Sequence, residues 1–130
     1  LAMNITTNDL IGLQYGWGYA PGDGTGRTDC FQLVCEMRRR MGLSDYSERF
    51  EWVYDQYTED TFRRRLIPRW LLQHGTRLGA PQVGAVLLLP GHAGAALATV
   101  VTDGALFLAP SGNVVRTKWP VDMGYCFWMN

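Results

Sequence analysis

The stretch DCFQLVCEMRRRM, residues 29–41, carries the clearest structural pattern in this chain. Its apolar residues recur every three or four positions, as in one buried helical stripe: Cys30, Leu33, Val34, Met37 and Met41. Asp29 is a favourable N-cap, and Gln32 can complete a capping box three residues later. Gly42 is a suitable helix terminator. The pattern predicts a helix with Cys30 in its first turn.

Glycine-rich sequence precedes this helix, and a second helical pattern follows it. Residues 16–26 hold five glycines and one proline, which predicts a loop whose backbone can approach another group closely. Residues 6–13 predict a brief helix with a threonine N-cap. Residues 58–74 predict a longer helix that ends at Gly75 and is broken or kinked by Pro68 near Ile67.

The sequence after Pro81 changes to short strand-like runs. These runs are VGAVLLL (83–89), AALATVV (95–101), ALFLA (105–109), VVRTK (114–118) and YCFWM (125–129). Asp103-Gly104 and Ser111-Gly112 are turn signals between them. We therefore predict one α+β domain over residues 1–130, with N-terminal helices packed on a C-terminal antiparallel sheet of about five strands.

Composition excludes several classes of function. The 130 residues carry 12 basic and 12 acidic side chains, and this zero net charge argues against nucleic acid as a partner. Two triple-arginine runs, residues 38–40 and 63–65, fit a solvated helix face better than a binding patch. Three cysteines without zinc-like spacing, and two histidines, predict no disulfide framework, no structural metal and no cofactor.

Cys30 is the candidate nucleophile. A thiol on the first turn of a helix lies near unpaired N–H groups and the positive end of the dipole, which lowers its pKa by about one unit. Full activation also needs a neighbouring cation, and a histidine is the expected source. The alternative is an inert core thiol, which is how we interpret Cys35 and Cys126.

His92 is the favoured base. It lies in PGHAG (90–94), just before a strand, and its small neighbours leave the ring accessible. His74 lies at the predicted end of a helix, where a histidine commonly serves as a C-terminal charge.

Two segments resemble a known family. In GLQYGWG…DCFQLV (12–34), a G-x-x-Y-x-W-G segment precedes an Asp-Cys-x-x-Leu-Val helix start, as in the NlpC-type cell-wall peptidases. VGAVLLLPGHAGAAL (83–97) is similar to the segment that carries the histidine of that family. The likeness spans residues 7–118, and its style is closest to the phage tail-assembly branch.

The resemblance implies a papain-like fold and a defined chemistry. Cys30 would be the nucleophile and His92 the general base, while Tyr15 and the Cys30 N–H would help to stabilise the oxyanion. Trp17 and Asp29 would bind substrate, although Trp17 could equally be a packing residue. The reaction would be endopeptidase or amidase cleavage of peptidoglycan stem peptides through a thioester.

The chain departs from the family pattern at three places. Gln32 replaces a glycine or serine, and Gly84-Ala85 replaces Gly-Asp. Leu108 stands where the family has a polar third residue, so Ser111 and Asn113 are candidates to orient His92. An inactive structural tail-tip protein of the same fold is therefore one alternative. A Cys–His acyltransferase or deamidase is another.

The predicted setting follows from the resemblance and from the absence of visible export or membrane signals. No apolar run reaches transmembrane length, so no membrane insertion is expected. We expect a location in the virion, as part of a phage tail, or delivery to the bacterial periplasm and cell wall. The expected partners are a peptidoglycan peptide and other phage tail proteins.

Overall fold

A computed structural model describes residues 5–89, 96–119 and 125–130. The helices are α1 (Cys30–Arg40), α2 (Glu51–Gln56) and α3 (Leu66–His74), and a 3-10 turn at Glu48–Phe50 precedes α2. The strands are β1 (Gln14–Tyr15), β2 (Arg27–Thr28), β3 (Gly75–Leu78), β4 (Val86–Leu89), β5 (Ala96–Val101), β6 (Gly104–Leu108), β7 (Val114–Lys118) and β8 (Tyr125–Met129).

The main sheet is antiparallel and has the strand order β3-β8-β4-β5-β6-β7. The α+β prediction is confirmed, but within the described ranges the sheet has six strands instead of about five. The extra strand, β3, follows α3 directly and pairs with β8, with Gly75 opposite Met129. β1 and β2 form a separate parallel pair on either side of the glycine-rich loop.

Two helix predictions need correction. Residues 6–13 form turns instead of a helix, because Thr7 and Leu10 accept single turn hydrogen bonds that do not continue. The helix predicted over 58–74 begins only at Leu66. Pro68 therefore lies in the first turn of α3, where the missing N–H is not needed, and it neither breaks nor kinks the helix.

Helix α1 packs on β5 and β6 through the predicted stripe. Leu33 and Met37 are buried against β5 and β6, and Val34 is buried beside Leu97 of β5. Asp29 accepts a hydrogen bond from the Gln32 N–H (2.8 Å), so the helix begins where the sequence predicts. This packing places Cys30 next to the first residues of β5.

The first arginine run is not a uniformly solvated face. Arg38 is buried, and its guanidinium donates to the Ser44 carbonyl (2.6 Å) and hydroxyl (2.8 Å). Arg39 forms ion pairs with Glu36 and Asp45. The run therefore ties α1 to its surroundings. Among the described residues, no helix is both long and apolar enough to cross a bilayer.

Candidate functional site

Cys30 opens onto a cavity of about 330 Å³ between the start of α1, the glycine-rich loop, α2 and α3. Aromatic side chains supply most of its lining: Tyr15, Trp17, Phe31, Phe50, Trp52, Tyr54, Phe62 and Trp70. Charged groups at this cavity are Asp29, Glu59, Arg64 and Arg69. Its size and mixture of apolar and polar groups are those of a small-ligand or peptide side-chain site.

Asp29 holds three walls of the cavity together. One carboxylate oxygen caps α1, and the other accepts from the Gly18 N–H (2.9 Å) and the Tyr54 hydroxyl (2.7 Å). The side chain is almost fully buried, and this burial raises its pKa although the hydrogen bonds oppose the rise. Asp29 lines the cavity, but its contacts are those of a structural anchor.

Trp17 forms part of the cavity wall. Its ring lies 5.0 Å from the Tyr54 ring and 5.0 Å from the Phe62 ring, measured between centroids. The neighbouring Gly18 has a positive φ of 78°, and a Cβ there would lie 3.3 Å from the Tyr54 ring. A glycine at this position therefore lets the loop approach α2 closely enough to place Trp17.

The described surroundings of Cys30 disfavour its thiolate. Burial and the Asp29 carboxylate raise the pKa of Cys30 to about 11, while the N–H groups of Leu97, Cys30 and Phe31 oppose this rise. We expected a lower pKa from the helix N-terminus alone. Desolvation and a neighbouring negative charge outweigh the helix contribution.

Tyr15 lines the same cavity as Cys30, and its side chain is partly exposed. Burial and the nearby Glu59 carboxylate raise the pKa of Tyr15, so the phenol stays protonated at neutral pH. A protonated hydroxyl beside a thiol can donate a hydrogen bond to a developing oxyanion.

The sheet presents apolar side chains beside Cys30. Leu97 of β5 is buried in the cluster against which Cys30 packs. β5 and β6 pair Ala98 with Phe107, so Leu97 and Leu108 each lie one residue beyond this pair. Leu108 packs against a neighbouring cluster that includes Leu33. Neither leucine can orient an imidazole by hydrogen bonding.

Of the remaining predicted residues, His92 lies outside the described residues. His74 is the last residue of α3, where its ring packs against Tyr46 and Phe50, and it does not line the cavity. Asn113 forms an isolated bridge with Gln14, next to Tyr15, and Ser111 is an exposed turn residue in the same hairpin.

Sequence reasoning missed Tyr54, Glu59, Arg64 and Arg69 as site residues. Their signal was weak, because α2 has only six residues and the segment between α2 and α3 is irregular. The dense aromatic content of EWVYDQY (51–57) was the available indication.

The other two cysteines are buried and free of disulfides. Burial raises the pKa of Cys35 to about 12 and also raises the pKa of Cys126. Within the ranges that the structure describes, no three His, Cys, Asp or Glu side chains cluster as metal ligands would.

No protein-family model matches this chain, and neither does any curated protein or solved structure with which it was compared. The family likeness therefore depends on the residues quoted from segments 12–34 and 83–97.

Proposed function

We propose that this protein is a cysteine hydrolase that cleaves amide bonds in peptidoglycan stem peptides, with Cys30 as nucleophile and His92 as base. The observation that carries the proposal is the position of Cys30, which is the first residue of α1 and lines a cavity large enough for part of a peptide. The resemblance supplies the substrate class.

The proposed reaction balances its protons through His92. The imidazole takes the thiol proton, the thiolate attacks the amide carbonyl, and the tetrahedral intermediate breaks its C–N bond. His92 then protonates the leaving amine, and water hydrolyses the thioester with His92 again acting as base. The Cys30 N–H and the protonated Tyr15 hydroxyl are the groups proposed to stabilise the oxyanion.

A cation from His92 is essential to this proposal. Because burial and the Asp29 carboxylate raise the pKa of Cys30, the thiol stays protonated at pH 7 unless a cation stabilises the thiolate. His92 precedes Leu97 by five residues, and five residues span at most about 17 Å. The Leu97 N–H faces Cys30, so this short separation in sequence between His92 and Leu97 supports the proposed pairing of His92 with Cys30.

The proposed biological setting is a phage tail, in which the protein opens the cell wall during DNA entry. The resemblance to the tail-assembly branch supports this setting. Peptidoglycan peptide would then be the substrate, and other tail proteins would be its structural partners.

The test is the pH dependence of Cys30 alkylation by iodoacetamide, read by mass spectrometry. We expect the native protein to react near neutral pH because the His92 imidazolium stabilises the thiolate. His92→Gln should move the midpoint of reaction to higher pH, because the burial and the Asp29 carboxylate that raise the pKa of Cys30 remain. Cys30→Ala, which should also lose wall clearing on a zymogram, identifies the modified site.

A non-catalytic binding protein of the same fold is the second candidate. Leu108 favours it, because it stands where the resemblance implies a polar third residue and it packs against an apolar cluster. This candidate predicts the same alkylation midpoint, well above neutral pH, in the native protein and in His92→Gln. It also predicts equal wall clearing by the native protein and Cys30→Ala, and that result would contradict the hydrolase proposal.

A further inference from the structure

The two arginine runs have different environments. Arg39 and Arg40 form ion pairs with Glu36, Asp45 and Asp9, and Arg38 is buried. The second group consists of four exposed side chains: Arg63, Arg64, Arg65 and Arg69. Within the described ranges none of these four forms an ion pair with a carboxylate. We call this second group the arginine cluster.

The arginine cluster occupies an unfavourable place in the fold. It lies at the beginning of α3, where the helix dipole is positive and where acidic side chains are the stabilising ones. Arg65 is the N-cap, and no side chain caps the helix. Arg65 and Arg69, four positions apart, also repel each other. An anionic ligand bound here would relieve both effects.

Two members of the cluster also line the cavity. Arg64 and Arg69 share its lining with Trp52 and Phe62, so guanidinium groups lie beside an apolar pocket. Glu59 lines the same cavity, but its carboxylate lies near the Tyr15 hydroxyl. A ligand that satisfies both surfaces needs an apolar group with negative charges next to it.

We propose that the arginine cluster binds an acidic peptide. Its carboxylates pair with Arg64 and Arg69, and a neighbouring apolar side chain enters the aromatic cavity. A guanidinium can donate two parallel hydrogen bonds to one carboxylate. The aromatic walls of the cavity favour contact with an apolar side chain. A peptide fits better than a nucleic acid, because the protein has zero net charge and the cluster holds four cations.

The proposed function implies that the ligand is a peptide, and the present proposal rests on it for that point alone. The arginine cluster adds that this peptide is acidic. It concerns binding and not turnover. Binding is therefore measured in the full chain with Cys30→Ala, which cannot form a thioester. A negative result in the alkylation test or in the zymogram, which would contradict the hydrolase proposal, leaves this binding measurement unaffected.

The probe is a fluorescein-labelled pentapeptide of four glutamates around one phenylalanine, followed by fluorescence anisotropy. We expect this peptide to bind about tenfold more tightly than a control peptide in which glutamine replaces each glutamate, because only the glutamates can form charge pairs with Arg64 and Arg69. R64Q/R69Q should remove this preference. R64K/R69K should restore part of it, because lysine keeps the charge but loses the bidentate geometry.

The matched control is R39Q/R77Q, which removes the same charge from two arginines that do not line the cavity. It should bind the acidic peptide within about twofold of the parent. Equal binding of the glutamate and glutamine peptides would overturn the proposal, and so would unchanged binding by R64Q/R69Q. Tighter binding of a labelled oligothymidylate than of the acidic peptide would also contradict it, in favour of a phosphate polymer.

Discussion

Asp29 shows how one side chain can serve three parts of a site at once. Its carboxylate caps α1, holds the glycine-rich loop through Gly18 and fixes α2 through Tyr54. The cost is a buried negative charge beside Cys30, which raises the pKa of that thiol. Asp29 therefore builds the cavity while it opposes the ionisation that a nucleophile requires.

Replacing Asp29 by alanine should lower the free energy of unfolding by about 2 kcal/mol. The lost N-cap contributes about 1 kcal/mol, and two further part-buried donors, the Gly18 N–H and the Tyr54 hydroxyl, lose their acceptor. Relief of the buried charge offsets part of this loss. Urea denaturation followed by tryptophan fluorescence measures the change.

Asp23→Ala is the matched control for that experiment. Asp23 also accepts hydrogen bonds from two backbone N–H groups, at Ala20 and Thr25, but it lies in an exposed turn. We expect its unfolding midpoint to match that of the native protein. If Asp23→Ala lowered the free energy of unfolding as much as Asp29→Ala, burial of the Asp29 hydrogen bonds would not explain the effect of Asp29→Ala.

At the scale of the element, α3 combines a strong packing face with an unfavourable N-terminus. Trp70 and Leu71 are buried, and Trp70 packs edge-on against Phe31 with a centroid separation of 5.3 Å. The first turn carries exposed arginines and has no capping side chain. Tertiary packing therefore holds α3 in place although its start is electrostatically strained.

Arg65→Glu should stabilise the protein by up to about 1 kcal/mol, because it replaces a cation with an anion at the positive end of the dipole. Thermal unfolding at low ionic strength measures the gain. Salt near 1 M should remove most of it, since exposed charges are then screened. A destabilised variant would contradict the account of the arginine cluster as a strained element.

The sequence predicts an element well when the interactions that form it lie between residues close together in the chain. Helix α1 was predictable because its cap and its apolar stripe are encoded within residues 29–42. β3 was not, since GTRL (75–78) is too short to show a period and forms by pairing with β8. The wall made by Tyr54 depends on a hydrogen bond to Asp29 across 25 positions, and no local pattern reports such a contact.

At the scale of the whole molecule, Arg38 joins the helical layer to the sheet. Its guanidinium donates to Ser44 and to the Met129 carbonyl of β8, and it lies 5.4 Å from the centroid of the Tyr46 ring. Tyr46 in turn packs against Trp70, which lines the cavity. Burial lowers the pKa of Arg38, and no carboxylate in the described ranges pairs with it.

Because Arg38 is a buried cation without a paired anion, its replacement should change the free energy of unfolding in a characteristic way. Arg38→Ala should destabilise the protein by about 3 kcal/mol, because it removes several buried hydrogen bonds and leaves a void. Arg38→Met should cost less, since it fills the space and removes the desolvated charge. Arg39→Ala, next in the chain but in exposed ion pairs, should cost less than about 1 kcal/mol. Denaturant unfolding of the three variants tests this order, and an Arg39→Ala loss equal to that of Arg38→Ala would refute the bridging role of Arg38.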